Sequence, residues 1–182
     1  MRRFIRRTLK SSRIFSWIYF FFYVKKPIDA KEFIENWEIQ YESHDPSPDE
    51  ILENLRCLKL RSVLDIGGGY GRIATHLQTN GIEVVLVEPN PLLALKAKGA
   101  GIVTHEKNAT DLRNLEVGVF DCAIVVRVVA YLGFFEIIRM LRQISLYTNI
   151  LIAYEESIGS ARLRLARICV PSLKVKIKEC VN

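Results

Sequence analysis

The sequence feature that most constrains the fold is a glycine-rich turn that directly follows a short apolar run. It reads Val63-Leu64-Asp65-Ile66-Gly67-Gly68-Gly69-Tyr70-Gly71. Glycines after a first strand permit a tight turn and let backbone N–H groups approach a ligand closely. The dinucleotide fingerprint would need a further glycine where Arg72 stands, and no Walker lysine follows. The segment therefore predicts a strand, a ligand-binding turn and a helix, and it disfavours a pyrophosphate ligand.

From residue 61 onward, short apolar runs alternate with helical patterns. The predicted strands cover 62–66, 83–87, 102–105, 120–126 and 149–153, with an edge strand at 173–177, and the predicted helices cover 29–43, 48–58, 70–80, 90–98, 134–146 and 162–168. Ser47 before Pro48 favours a capped start for the second of these helices. The alternation predicts an α/β fold: a Rossmann-like, doubly wound, mainly parallel sheet with helices on both faces and a short C-terminal end.

Basic residues are concentrated at the two ends of this 182-residue chain, whose formal net charge is +6. Residues 1–26 carry eight basic residues and no acid, and residues 160–182 carry six basic residues and one acid. The aromatic run at 14–24 would span about 16 Å as a helix, too short for a hydrocarbon core of about 30 Å. We expect a basic aromatic helical extension at 1–28, which lies on an anionic membrane or packs on the domain or a partner, followed by one domain at 29–182.

Cysteine and histidine are too sparse and too widely spaced to form a clustered zinc site, so no metal is expected. Scattered cysteines suit a reducing compartment and predict a cytoplasmic protein, with peripheral membrane attachment through residues 1–26 as a further hypothesis. No aromatic-basic recognition motif indicates nucleic acid. The sequence leaves the oligomeric state open.

Four ordered motifs resemble those of class I S-adenosylmethionine-dependent methyltransferases, in the branch that methylates small molecules. The glycine turn resembles motif I; 84–90 resembles the second strand with its terminal acid, 108–112 the loop after the third strand, and 120–132 the fourth strand and its loop. The resemblance covers about residues 30–156. It implies S-adenosyl-L-methionine as cofactor and methyl transfer to an unidentified acceptor, with a small molecule, a glycan or a lipid-linked substrate favoured over nucleic acid.

The resemblance also implies a set of cofactor-binding residues. Glycine amides would approach the methionine part, Asp65 would contact its ammonium, and Glu88 would accept from the ribose hydroxyls. Either Asn108 or Asp111 would contact the adenine amine. The full set is Asp65, Gly67, Gly68, Gly69, Gly71, Glu88, Pro89, Asn108, Ala109, Asp111, Val126 and Arg127.

No residue is marked as a general base, so the catalytic residues stay unassigned. Several further polar groups are expected at the carboxyl edge of the sheet: Tyr70, Tyr131, Glu155 and Glu156. Arg127 follows a buried strand, where an unpaired cation would be costly. Its expected partner is a cofactor or acceptor carboxylate, or an internal acid.

The chain departs from the family pattern at three places. Asn108 replaces the usual acid before Ala109, the residues 146–149 replace a Pro-Gly-Gly turn, and fewer than thirty residues follow the predicted fifth strand. The acceptor side is therefore expected to be minimal, incomplete, or completed by the extension or a partner chain. Two alternatives stay open: a non-catalytic S-adenosylmethionine-binding module, and a nucleotide- or nicotinamide-dependent enzyme on the same architecture.

Overall fold

The computed structural model describes residues 46–179, so the predicted extension at 1–28 and the helix at 29–43 lie outside the described residues. Helices and strands alternate along that part of the chain. In chain order they are α1 (Pro48–Cys57), β1 (Ser62–Ile66), α2 (Arg72–Thr79), β2 (Glu83–Val87), α3 (Pro91–Gly99), β3 (Val103–His105), β4 (Cys122–Val126), α4 (Phe134–Ile144), β5 (Ile150–Glu155), α5 (Ser157–Ala166) and β6 (Lys174–Glu179). Short 3₁₀ turns cover Val129–Tyr131 and Arg167–Cys169.

The six strands form one sheet in the order β3-β2-β1-β4-β5-β6, and all neighbours are parallel. In this register Asp65 of β1 lies between Leu86 of β2 and Ile124 of β4. The order reverses between β1 and β4, and ligands of such sheets bind in the crevice beyond the carboxyl ends of the strands at this point. The predicted Rossmann-like parallel fold is confirmed.

Each central strand contributes alternate side chains to two hydrophobic clusters, one on each face of the sheet. Along β2, Val85 and Val87 belong to the cluster covered by α4 and α5, whereas Val84 and Leu86 belong to the cluster covered by α1, α2 and α3. This is the two-residue period of a strand buried on both faces. The predicted placement of helices on both sides of the sheet follows from it.

Helix starts agree with the sequence where a side-chain cap defines them. Ser47 Oγ accepts a hydrogen bond from Glu50 N at 3.1 Å, and Asn90 Oδ1 accepts from Leu92 N at 3.0 Å, so α1 and α3 begin as predicted. The prediction was wrong for α5, which begins at Ser157 instead of 162. Ser160, which lies before the predicted start of this helix, is buried in its first turns, and its hydroxyl donates to Glu155 O at 3.2 Å.

Candidate functional site

The glycine turn lies at the carboxyl edge of the sheet, where β1 leads into α2. Gly67, Gly69 and Gly71 have φ angles of 73°, 59° and 88°, which favour glycine. Gly67 N donates to Val87 O at 2.7 Å and ties the turn to β2. Gly71 is the N-cap of α2, so this helix begins two residues later than predicted.

Neighbouring side chains occupy the space that a side chain on the turn would need. A Cβ at Gly67 would lie 2.6 Å from Val128 Cγ2. A Cβ at Gly68 would lie 2.5 Å from Asp65 Oδ2 and 2.8 Å from Leu86 Cδ1. Since Cβ atoms do not approach other heavy atoms this closely, a side chain at either position would displace these neighbours. The turn therefore presents bare backbone next to the Asp65 carboxyl group.

Glu88 directly follows β2 and folds back onto the glycine turn. Its Oε2 accepts from Gly69 N at 3.0 Å and its Oε1 accepts from Asn90 N at 2.9 Å. Burial raises the pKa of Glu88, and these two backbone hydrogen bonds lower it in part. A carboxylate has about four lone-pair positions, so each oxygen keeps acceptor capacity for another donor. Pro89, next along the chain, is exposed.

Asp65 lies in β1 with only 1% of its surface exposed. Its Oδ2 is buried and accepts no hydrogen bond from the described residues. Burial, and to a smaller extent the nearby Glu88 carboxylate, raises the pKa of Asp65 to about 7. A buried polar atom without a partner is costly, so a cationic donor that reached this oxygen would be stabilised there.

The loop after β3 holds the two residues between which the sequence could not choose. Asn108 Oδ1 accepts from Thr110 N at 3.0 Å and from Thr110 Oγ1 at 2.9 Å, so its own turn uses this carbonyl. Asp111 is exposed and forms an ion pair with Arg113 Nε at 3.1 Å. Ala109 between them is buried in the core. Both candidate acceptors are thus engaged within the loop.

The loop after β4 begins at Arg127, whose φ angle is 56°. Arg127 Nη1 lies 3.3 Å from Glu156 Oε1, and its backbone N donates to Tyr154 O at 2.9 Å. Of the partners left open by the sequence, the structure thus shows the internal acid. Val126, the last residue of β4, is half-buried beside it.

Two buried charged side chains from β5 and α5 hold this loop. Glu155 Oε1 accepts from Val129 N at 2.9 Å, and Arg162 Nη1 donates to Leu132 O at 3.4 Å. The loop in turn places Val128 against Gly67. Glu155 was expected at this edge, but Arg162 was missed, because only tertiary contacts distinguish a buried arginine from an exposed one on a helix.

Comparisons with known proteins bear on the fold of the chain and on the sequence of its central segment. The sequence model of the methyltransferase domain family matches residues 64–145. Similar solved structures include the sugar N-methyltransferase KedS8 from Streptoalloteichus (19% identity, TM-score 0.54, 68% of this chain and 51% of that chain). They also include the magnesium protoporphyrin IX methyltransferase ChlM from Synechocystis with bound S-adenosylmethionine (15%, 0.53, 90% and 84%) and a TehB-like S-adenosylmethionine-dependent methyltransferase from Corynebacterium glutamicum (19%, 0.55, 65% and 66%).

At these identities the solved structures establish the fold, and the domain match shows that residues 64–145 are similar to the methyltransferase domain family. The chain shares its Rossmann-like parallel fold with these methyltransferases. It spans about half the length of KedS8. No curated protein matches it at a significant level.

Proposed function

We propose that this chain binds S-adenosylmethionine at the glycine turn and transfers its methyl group to an acceptor. The observation that carries the proposal is the buried Oδ2 of Asp65, which accepts no hydrogen bond from the described residues and lies beside backbone that has no room for a side chain. The methyltransferase domain match over 64–145, which includes this turn, supports the same conclusion.

The resemblance supplies the proposed roles of the site residues, and the geometry at Asp65 and Glu88 supports two of them. Asp65 accepts from the cofactor ammonium, and the glycine turn lets backbone approach the methionine moiety. Glu88 accepts from the ribose hydroxyls with the lone pairs that Gly69 and Asn90 leave unused. The fit at adenine is less complete, because Asn108 and Asp111 already have partners, so Ala109 N–H remains the contact most easily made.

Bound S-adenosylmethionine supplies an electrophilic methyl group on a sulfonium. The task of the chain is then to hold donor and acceptor in line and to exclude water, which in favourable cases is worth effective molarities of about 10⁵–10⁸ M. Arg127 and Glu156 form an ion pair on the β4–β5 side of the edge. This pair positions the side of the site that the acceptor would contact. No described residue is assigned as a general base.

Calorimetric titration with S-adenosylmethionine and with NAD tests the cofactor. We expect binding of S-adenosylmethionine and no measurable heat with NAD. Tight binding of NAD together with no response to S-adenosylmethionine would overturn the proposal. Binding of S-adenosylmethionine without methyl transfer to any acceptor would instead favour the non-catalytic module.

The ribose role of Glu88 has a matched control at the other end of the same strand. Glu88→Gln keeps one carbonyl acceptor but loses the charge, and we expect cofactor affinity to fall by about 10- to 100-fold, in line with about 1.5–3 kcal/mol for hydrogen bonds to a charged group. Glu83→Gln makes the same chemical change at the exposed first residue of β2 and should leave the affinity unchanged. Equal affinities for the two variants would refute the role.

For the acceptor, we propose a small molecule, a glycan or a lipid-linked compound. The similar structures include a sugar N-methyltransferase and a magnesium protoporphyrin IX methyltransferase, and both of these enzymes have small-molecule acceptors. Incubating the protein with methyl-labelled cofactor and separate membrane and soluble fractions of a cell extract tests this. Label on nucleic acid alone would contradict it.

We propose that the chain is divided into a basic aromatic extension at 1–28 and a domain at 29–182. We also propose that the protein is cytoplasmic and attaches peripherally to an anionic membrane through residues 1–26. Within residues 46–179 no helix is long and apolar enough to span a bilayer. Support for the attachment comes from eight basic residues without an acid around an aromatic run. Flotation with anionic liposomes tests it, and equal flotation after deletion of residues 1–26 would refute it.

A further inference from the structure

Helices α4 and α5 lie side by side on one face of the sheet and expose apolar side chains on their outer surface. Their inner surfaces share one buried cluster, to which Ile137, Met140 and Leu163 belong. On the outside, Phe135 is 73% exposed and Ile168, just past α5, is 70% exposed. Leu146, Ile158 and Leu165 on the same two elements and their ends are exposed as well. Large apolar side chains are thus exposed at the two ends of α4 and along α5.

The exposed apolar residues of α5 fall on one stripe. Ile158, Ala161, Leu165 and Ile168 follow one another at spacings of three, four and three, which places them along one side of a helix. All four are exposed, while Arg162, Leu163 and Ala166 on the other side are buried. The helix is therefore apolar on two sides, one facing the core and one facing out.

The charge of this surface is one-sided. Its exposed charged residues are four arginines and one glutamate: Arg139, Arg142, Arg164, Arg167 and Glu136. Glu136 also accepts the hydrogen bond from Gly133 N at 2.7 Å that caps α4. On the opposite face, α1 alone carries three acids, so that side is mixed in sign.

We propose that this α4–α5 face, defined by Phe135, Arg139, Arg142, Ile158, Arg167 and Ile168, docks on an anionic phospholipid bilayer. Apolar side chains would enter the headgroup zone while the arginine stems lie along it and the guanidinium groups meet lipid phosphates. Charge complementarity selects this occupant, because four arginines beside one acid favour an anionic surface. The surface is formed by other residues than 1–26, and the proposal does not depend on cofactor binding.

The position of this face would bring the candidate site to the membrane. α5 directly follows β5, and α4 follows β4 after the loop that holds Arg127. The first turns of both helices, with Phe135 and Ile158, therefore lie near the carboxyl edge of the sheet, where the glycine turn also lies. Docking of the face would orient this edge close to the bilayer.

Vesicle co-sedimentation of the full chain tests the proposal. We expect binding to vesicles that contain phosphatidylglycerol and weak binding to pure phosphatidylcholine. Since each basic residue near an anionic surface adds roughly a factor of five in affinity, Arg139→Glu with Arg142→Glu should weaken binding at least about tenfold. The matched charge change on the opposite face, Lys59→Glu with Lys98→Glu, should weaken it much less. Ile168→Ser should lower affinity about fivefold, whereas Leu95→Ser on α3 should not.

Two results would overturn the proposal. One is equal vesicle binding by the Arg139/Arg142 and Lys59/Lys98 variants, which would mean that net charge or another segment such as 1–26 drives any attachment. The other is a concentration-dependent dimer in sedimentation velocity, without vesicles, that the Arg139/Arg142 and Ile168 substitutions abolish, which would identify the face as an interface between copies of the chain. The thermal unfolding midpoint of each variant shows whether it is folded, and all substituted side chains are exposed.

Discussion

The buried charged side chains have different roles in the two halves of the carboxyl edge of the sheet. Beyond β1 and β2, the carboxyl groups of Asp65 and Glu88 lie close together and their pKa values are both raised, chiefly by burial. At the ends of β4 and β5, three charged side chains bind the loop after β4. Glu155 accepts from the Val129 amide, Glu156 pairs with Arg127, and Arg162 donates to the Leu132 carbonyl. The second half uses its charged side chains to hold the loop after β4, whereas the carboxylates of the first half keep acceptor capacity for a ligand.

This difference indicates that one half of the edge binds the ligand and the other half stabilises the fold. A carboxylate pair beside bare glycine backbone suits a ligand that brings a cation and hydroxyl groups. A loop tied by buried hydrogen bonds suits a rigid wall. We therefore expect substitutions in the β1–β2 half to change cofactor affinity most, and substitutions in the β4–β5 half to change the free energy of unfolding most.

The largest effect is expected for Gly68→Ala. The added Cβ would overlap Asp65 Oδ2 and Leu86 Cδ1, and overpacking of this kind costs about 1–3 kcal/mol. It would also displace the carboxyl group proposed for the ammonium, so cofactor affinity in calorimetry should fall by about 100-fold or more. Gly99→Ala, where a Cβ meets nothing within 4 Å, is the control and should bind normally. Normal binding by Gly68→Ala would contradict the proposed site.

The next effect belongs to the other half of the edge. Glu155→Ala leaves the buried Val129 N–H without its acceptor, and we expect the free energy of unfolding to fall by about 1–3 kcal/mol in urea titration. Glu155→Gln keeps a carbonyl oxygen there and should recover a large part of that loss. Cofactor affinity should change less than in Gly68→Ala. If Glu155→Ala instead lowered cofactor affinity and left the free energy of unfolding unchanged, the β4–β5 half would have the binding role that we assign to the β1–β2 half.

The two halves also differ from the helices and strands in how much of them could be predicted from the sequence. Local signals predicted β2 at Glu83–Val87 and the start of α3, because an apolar run and an Asn-Pro cap act within a few residues. By contrast, the hydrogen bond between Gly69 and Glu88 joins residues 19 positions apart, and the one between Arg162 and Leu132 joins residues 30 positions apart. Such contacts depend on which strands become neighbours. The sequence therefore predicted that Glu88 belongs to the site, but not that its oxygens already have backbone partners.

A pH-dependent effect should follow from Asp65. Its pKa rises from 3.8 to about 7 on folding, so between these values the folded protein keeps a proton that the unfolded chain has lost. The free energy of unfolding should therefore decrease as pH rises from about 4 to about 7, at up to about 1.4 kcal/mol per pH unit, and then level off. Asp65→Asn should flatten this slope in urea titrations across the range. An unchanged slope would exclude Asp65 as its source.

The same proton gives a direct measure of cofactor contact. If the ammonium of S-adenosylmethionine meets Asp65, the ionised carboxylate is favoured and binding near pH 6 should release a proton. Calorimetry in two buffers with different ionisation enthalpies measures this release, which should disappear in Asp65→Asn. Proton release that persists in the variant would assign the linkage to another group, with Glu88 the first to examine because burial raises its pKa as well.

The smallest effects are expected in the loop after β3, and they decide where the first half of the edge ends. Asp111→Asn removes an exposed ion pair with Arg113, which is worth less than about 1 kcal/mol, and should alter neither stability nor cofactor affinity. Asn108→Ala removes the acceptor for Thr110 and should cost about 0.5–1.5 kcal/mol of stability. If adenine uses only the Ala109 N–H, affinity should fall no more than a few-fold in Asn108→Ala. A tenfold loss in either variant, measured against the other, would identify the side chain that contacts adenine and extend the ligand-binding half of the edge to β3.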